Sequence, residues 1–138
     1  MMEKFNGIIY FIIFIVHFGA YAVYAFRCLF TTKAFVDQYG MGDGAAIMTR
    51  FFGSIFVGSV LMAIYVGFVR AGGLENTWAF FNLIFLQNAA AFIFAIWSHK
   101  KGSLGTNEKT SKEGIIAPGV LTVLSAVLCY GLADKIYI

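Results

Sequence analysis

Four long apolar runs without a charged side chain limit what this chain can fold into. They cover about residues 8–26, 51–69, 78–97 and 115–133. Each is about 19–20 residues long, close to the ~20 that an α-helix needs to cross a hydrocarbon core about 30 Å thick. The runs predict an all-α, polytopic membrane protein, a four-transmembrane-helix bundle that forms one domain over residues 1–138.

The composition leaves little chain for anything else. Hydrophobic residues make up 60% of the sequence and charged residues only 12%, against about 25% charged residues in an average soluble domain. A separate soluble catalytic domain therefore has no room. The lipid bilayer is the predicted surrounding, and no nucleic-acid partner is expected.

The distribution of positive charge predicts the orientation. Four spans place both termini on one side, and seven of the ten Lys and Arg residues lie in connections 27–50 and 98–114. Cytoplasmic loops are enriched in Lys and Arg. The sequence thus predicts that these two connections lie in the cytoplasm and that both termini lie on the other side, in the periplasm or the exterior.

The first connection contains a helix-like pattern. Phe35, Val36 and Tyr39 recur at helical spacing, Thr32 is a residue type that begins helices, and Gly40 is one that ends them. A short helix at the membrane interface fits this pattern. A plain loop with a few aromatic contacts fits it equally well.

A resemblance to a known family begins in the same connection. The run Phe35–Met41 (FVDQYGM), the small residues Gly42–Ala46 and the segment Thr49–Leu61 (TRFFGSIFVGSVL) resemble a family of small four-helix bacterial membrane proteins without an assigned function. In that family, a tyrosine-glycine turn leads to an arginine-x-phenylalanine-glycine entry into the second helix. The resemblance implies a four-helix topology and a bacterial source, and therefore an inner-membrane protein with both termini in the periplasm. It implies no catalytic residue.

Five polar side chains lie at a similar depth near the middle of the predicted spans. His17 is at the centre of the first run, and the other four are Ser59, Gln87, Asn88 and Ser125. Polar groups buried in a bilayer are costly unless they are hydrogen-bonded. The five residues predict either hydrogen bonds that hold the helices together or a site for a small polar ligand or the polar end of a lipophilic one.

No cofactor or metal is predicted. Haem b in membranes is usually held by two histidines. His17 is at mid-membrane, but His99 lies at the cytoplasmic end of the third span, about 15 Å away in depth, because ten residues of helix rise about 15 Å. A contact between His17 alone and a pigment or haem stays open. The spans contain no carboxylate pair, His cluster or Cys pair for a metal centre.

Small residues predict a close-packing face on the second span. Ser59, Ala63 and Gly67 recur every four residues, a spacing that lets membrane helices approach closely. The face can pack within the monomer or against a partner.

The sequence favours a function without catalysis. No nucleophile–base pair can be assembled at one depth, and a proton-coupled exporter would need an Asp or Glu within the membrane. We therefore predict a structural or accessory subunit that packs against a larger membrane complex or against itself. The alternative is a binder or carrier of a small lipophilic ligand that uses the polar level around His17.

Overall fold

The computed structural model describes residues 2–102 and 104–138, and this part of the chain is helical without a strand. The helices are α1 (Ile8–Leu29), α2 (Thr32–Gln38), α3 (Ala46–Ile64), α4 (Trp78–Lys101), α5 (Glu113–Gly131) and α6 (Ala133–Ile136). Short 3-10 turns span Met2–Phe5 and Asp43–Ala45, and α3 continues into a π-helical turn at Tyr65–Val69. Within the described residues, α1, α3 with its flanking turns, α4 and α5 are long and apolar enough to cross a membrane. The predicted all-α fold with four transmembrane helices is confirmed.

The first connection contains the short helix α2, so of the two predicted alternatives, a helix or a plain loop, the structure has the helix. It ends at Gln38. Gly40 follows with a left-handed backbone, φ of +65°, and the Met41 N–H donates to the Val36 carbonyl at 2.8 Å. Such a turn is a common helix ending. Thr32 does not cap the helix; it is buried, and its hydroxyl donates to the Cys28 carbonyl at 2.7 Å.

The two ends of the bundle are defined by contacts between distant segments. At one end, the Asn6 side chain donates to the Gly131 carbonyl at 2.9 Å, and the Asn76 N–H donates to the Ile138 carbonyl at 2.7 Å. We call this the terminal end. At the opposite end, which we call the loop end, the Asn107 side chain donates to the Gly40 carbonyl at 2.9 Å.

The four long helices form two closely packed pairs. Helix α1 packs along α3, α4 packs along α5, and α1 also contacts α5. Between α3 and either helix of the other pair, the described residues make at most a marginal contact. The bundle is therefore open on one side.

Aromatic rings fill the terminal half of the bundle. Phe5 of the N-terminal turn lies 4.9 Å from Phe14 of α1, measured between ring centroids, and Phe14 lies 6.3 Å from Phe81 of α4. Leu132 and Ile136, at the C-terminal end, are fully buried in the same core. The segments beside both termini thus close this end of the bundle.

Small residues let α3 approach α1 closely. Ala63 is 1% exposed. A Cβ added to Gly67 would lie 3.2 Å from Cζ of Phe14, and one added to Gly53 would lie 2.8 Å from Cγ of Leu29. Of the small-residue face predicted from Ser59, Ala63 and Gly67, the latter two lie inside the monomer, while Ser59 is half-buried.

Replacing Ala63 with phenylalanine should destabilise the monomer itself. The ring would be inserted into a packed core, and overpacking of this kind typically costs about 1–3 kcal/mol. Leu61→Phe is the matched control, because Leu61 lies on the same helix and is 60% exposed. Denaturant titration in detergent micelles measures both unfolding free energies; equal stability of the two variants would contradict the described α1–α3 packing.

Candidate functional site: a cleft beside helix α3

The open side of the bundle forms a cleft of about 620 Å³ between α3 and the α4–α5 pair. Helix α1 contributes Tyr21, α3 contributes Phe56, α4 contributes Ala91 and α5 contributes Ala117. The α4 and α5 walls present small side chains, including Ala90. They leave space that larger residues would fill.

The cleft extends through about half of the membrane thickness. On α3 its lining runs from Ser59 to Met48, a separation of eleven residues that corresponds to about 17 Å of helix. It reaches the loop end, where Tyr39 and Met41 complete the lining. In the opposite half, the aromatic core packs the helices together.

A cluster of polar and aromatic side chains stands where the cleft meets the loop end. Arg27 Nη1 donates to Glu113 Oε1 at 2.7 Å, and the Tyr24 hydroxyl donates to the same oxygen at 2.5 Å. Gln38 Nε2 donates to Glu113 Oε2 at 2.5 Å, and the Arg27 guanidinium lies 5.2 Å from the Phe35 ring centroid. This loop-end cluster joins α1, α2 and α5.

The loop-end cluster was not predicted from the sequence, in which Arg27 counted only as one of the positive charges that indicate orientation. The signal that could have identified the pair is that Arg27 directly follows the first apolar run and Glu113 precedes the fourth. Four antiparallel spans place both positions at the same end, where opposite charges attract.

Tyr39 adds a neutral phenol to the cleft wall. Burial, together with the nearby Glu113 carboxylate, raises the pKa of Tyr39 to about 12. The hydroxyl is consequently protonated at neutral pH. The Tyr39 ring stacks on Phe35 with 4.8 Å between centroids.

Three of the five predicted mid-membrane residues meet in one hydrogen-bond network. Asn88 Nδ2 lies 3.0 Å from His17 Nε2 and 3.3 Å from the Ser125 hydroxyl oxygen. The Tyr21 hydroxyl donates to Asn88 Oδ1 at 2.7 Å. Sequence reasoning missed Tyr21 as a member, although it follows His17 by four residues and so shares its helix face.

His17 is enclosed by the network. Its side chain is fully buried, and since the Asn88 amide donates to Nε2, the proton of the neutral ring lies on Nδ1. Nδ1 has no hydrogen-bond partner among the described residues. A pigment or haem iron could reach Nε2 only if the bond to Asn88 broke.

The other two predicted residues line the cleft apart from the network. The Ser59 hydroxyl donates to the Ile55 carbonyl of its own helix at 3.2 Å. Gln87 is exposed, and its amide has no hydrogen-bond partner within residues 2–102 and 104–138. The network and the cleft therefore adjoin, because Tyr21 and Asn88 of the network also line the cleft.

The described residues offer hydrogen bonding and an apolar surface. No group of three His, Cys, Asp or Glu side chains among them is placed to hold a metal ion. The wall combines aromatic and aliphatic side chains with the neutral polar groups of Tyr39, Ser59 and Gln87. Such a site accommodates an apolar molecule that carries a hydrogen-bonding group.

Replacing Asn88 with leucine should destabilise the protein more than replacing His17 with leucine. Asn88→Leu leaves both the Tyr21 hydroxyl and His17 Nε2 without their partner, and a buried polar group left unpaired costs about 1–3 kcal/mol. His17→Leu removes one interhelical hydrogen bond, worth about 0.6–2 kcal/mol, and also removes the unpartnered Nδ1. Denaturant titration in detergent measures both changes.

Gln87→Leu is the neighbouring control for this comparison. Because the Gln87 amide has no partner among the described residues, its loss should leave the unfolding free energy almost unchanged. If Gln87→Leu destabilised the protein as much as Asn88→Leu, the assignment of the network to Asn88 would be wrong.

No family model, curated protein or solved structure matches this chain. The resemblance to small four-helix bacterial membrane proteins therefore stays a prediction.

Proposed function

We propose that this protein binds a lipophilic small molecule in the cleft beside α3. The observation that supports the proposal is a cavity of about 620 Å³ with a mostly apolar lining. Ligand pockets for small molecules measure about 300–1,000 Å³ and combine apolar walls with a few polar groups. The second interpretation of the mid-membrane residues, a lipophilic ligand site, thereby gains support. Of the five predicted residues, Ser59, Gln87 and Asn88 line the cleft, whereas His17 is not part of the lining.

The size of the cleft favours a small molecule over a partner helix. The cleft lining on α3 extends only from Met48 to Ser59, about 17 Å of helix. A helix that crosses the membrane needs about 20 residues. A single lipid chain or a compact ring system fits the available volume.

The exposed side chains of α3 support entry from the bilayer. Phe52 and Ile55 line the cleft and are 55% and 44% exposed. Since α3 makes at most marginal contact with α4 and α5 in the described part of the chain, the cleft opens sideways at membrane depth. A ligand dissolved in the bilayer can enter without crossing water.

A role as an accessory subunit is the second candidate. On α3, Ser54 is exposed, and a Cβ added to Gly58 would meet nothing within 4 Å. These two residues are four positions apart and would allow another helix to approach closely. Native mass spectrometry after gentle extraction separates the candidates, because a co-purifying complex favours a subunit and a monomer carrying a lipophilic molecule favours a binder.

Filling the cleft should remove the bound molecule without unfolding the protein. Ala91 lines the cleft and is exposed, so Ala91→Phe places a ring in the empty volume. Native mass spectrometry should show the co-purified mass on the wild-type chain and its loss from this variant.

Ile93→Phe is the matched control for Ala91→Phe. Ile93 is 62% exposed on the same helix and is not part of the cleft lining. It should retain the co-purified molecule. If the bound mass survived Ala91→Phe, or if both variants lost it, the cleft would not be its site.

The orientation in the membrane is also part of the proposal. The excess of Lys and Arg in the first and third connections supports a cytoplasmic loop end and periplasmic termini. Leu104 in the third connection is fully exposed and Ala71 in the second connection is exposed. Ser103, which the same orientation places in the cytoplasm, lies outside the described residues.

Cysteine labelling tests the orientation. An impermeant maleimide applied to intact cells should label Ala71→Cys, whereas Leu104→Cys should react only after the inner membrane is permeabilised. The wild-type chain reports the background from Cys28 and Cys129. Strong labelling of Leu104→Cys on intact cells would reverse the orientation.

A further inference from the structure

We propose that the ligand of the cleft is a neutral lipid with an oxygen-bearing head group, a hydroxyl or a carbonyl, that hydrogen-bonds to Gln87. The inference rests on the proposed function and specifies its ligand class.

The charges around the cleft disfavour an ionised head group. Among the described residues, Glu113 is the one ionisable acid or base of the Asp, Glu, Lys and Arg types in the lining. Both of its oxygens already accept hydrogen bonds, from Arg27 and Tyr24 on one and from Gln38 on the other. An anionic head group finds no unpaired cation in the lining, and a cationic one finds a carboxylate that Arg27 already neutralises.

Gln87 provides the hydrogen-bonding group deep in the cleft. It lies about 14 Å along α4 from Trp78, near the middle of the membrane, where no water is present to satisfy an amide. The amide has no partner among the described residues. The adjacent Asn88 is already bonded to Tyr21, His17 and Ser125.

A hydroxyl or carbonyl on the ligand suits the free amide. The amide N–H donates to either group, and the amide oxygen accepts from a hydroxyl. Both ligand groups are uncharged, so they enter an apolar cleft at a much smaller desolvation cost than a phosphate does. The same head group also removes the unpaired polar atoms of Gln87 from contact with lipid.

Three matched probes test the head group. Hexadecane, hexadecanol and hexadecyl phosphate share one alkyl chain and differ only at its end. Each is titrated into the full-length protein in nanodiscs of zwitterionic phosphatidylcholine, and bound probe is counted by native mass spectrometry. Hexadecanol should bind at least about tenfold more tightly than hexadecyl phosphate, because the phosphate carries its charge into an apolar site.

Variants at Gln87 test the contact itself. Gln87→Leu should weaken hexadecanol binding about threefold to tenfold, the value of one hydrogen bond, and leave hexadecane binding unchanged. Gln87→Met, which preserves the side-chain length, repeats the measurement should the leucine variant fold poorly. Ala91→Phe serves as the blocked-cleft reference in every titration.

The outcomes separate this inference from the proposed function. If hexadecyl phosphate bound as well as hexadecanol, or if both Gln87 variants bound hexadecanol normally, while Ala91→Phe still blocked all three probes, the head-group inference would be overturned and the cleft would remain a ligand site. If no probe bound, or if Ala91→Phe changed nothing, both the inference and the proposed function would fail.

Discussion

The packing of the helices in the middle of the bundle depends on the hydrogen bonds of the Asn88 side chain. With no water in the membrane interior, buried polar groups have to pair with one another, and Asn88 bonds to His17 and Tyr21 on α1 and to Ser125 on α5. One amide thereby fixes the mutual positions of α1, α4 and α5. Helix α3 has no part in this network and is held mainly by close packing on α1. The cleft lies on the side of α3 that this arrangement leaves uncovered.

The two halves of the membrane-spanning region are stabilised differently. In the terminal half, Phe5, Phe14 and Phe81 bury large apolar surfaces together with Leu132 and Ile136. In the loop half, the walls are lined by small residues such as Ala91 and Ala117, and the helices are joined at the surface by the loop-end cluster. Apolar packing closes the terminal half. In the loop half, the helices are joined by a few polar contacts at the surface, and the small residues between them leave space. This difference explains why one chain contains both a dense core and a cavity.

The four spans were predictable because an apolar run of about 20 residues without charged side chains is typical of a transmembrane helix. The helix ends were less predictable: α3 begins at Ala46 and α4 continues to Lys101, beyond the apolar runs. An apolar run marks only the part of a helix that lies in the hydrocarbon core, whereas backbone hydrogen bonding continues the helix outside it. Depth alone placed His17, Asn88 and Ser125 correctly at one level but could not assign faces. Gln87 and Asn88 are consecutive, and consecutive residues point about 100° apart around a helix. Both line the cleft, but only Asn88 is among the described members of the network. The Arg27–Glu113 pair depends on a contact between distant segments that no local pattern contains.

The depth of the cleft determines which molecules can reach it. The lining on α3 extends from mid-membrane at Ser59 to the loop end near Met48, and the terminal half is closed by the aromatic core. Its sideways opening therefore faces the acyl chains of a single leaflet. The two leaflets of a biological membrane differ in lipid composition, so the ligand proposed for the cleft would come from only one of these mixtures. A molecule confined to the other leaflet would have to flip across the bilayer before it could bind.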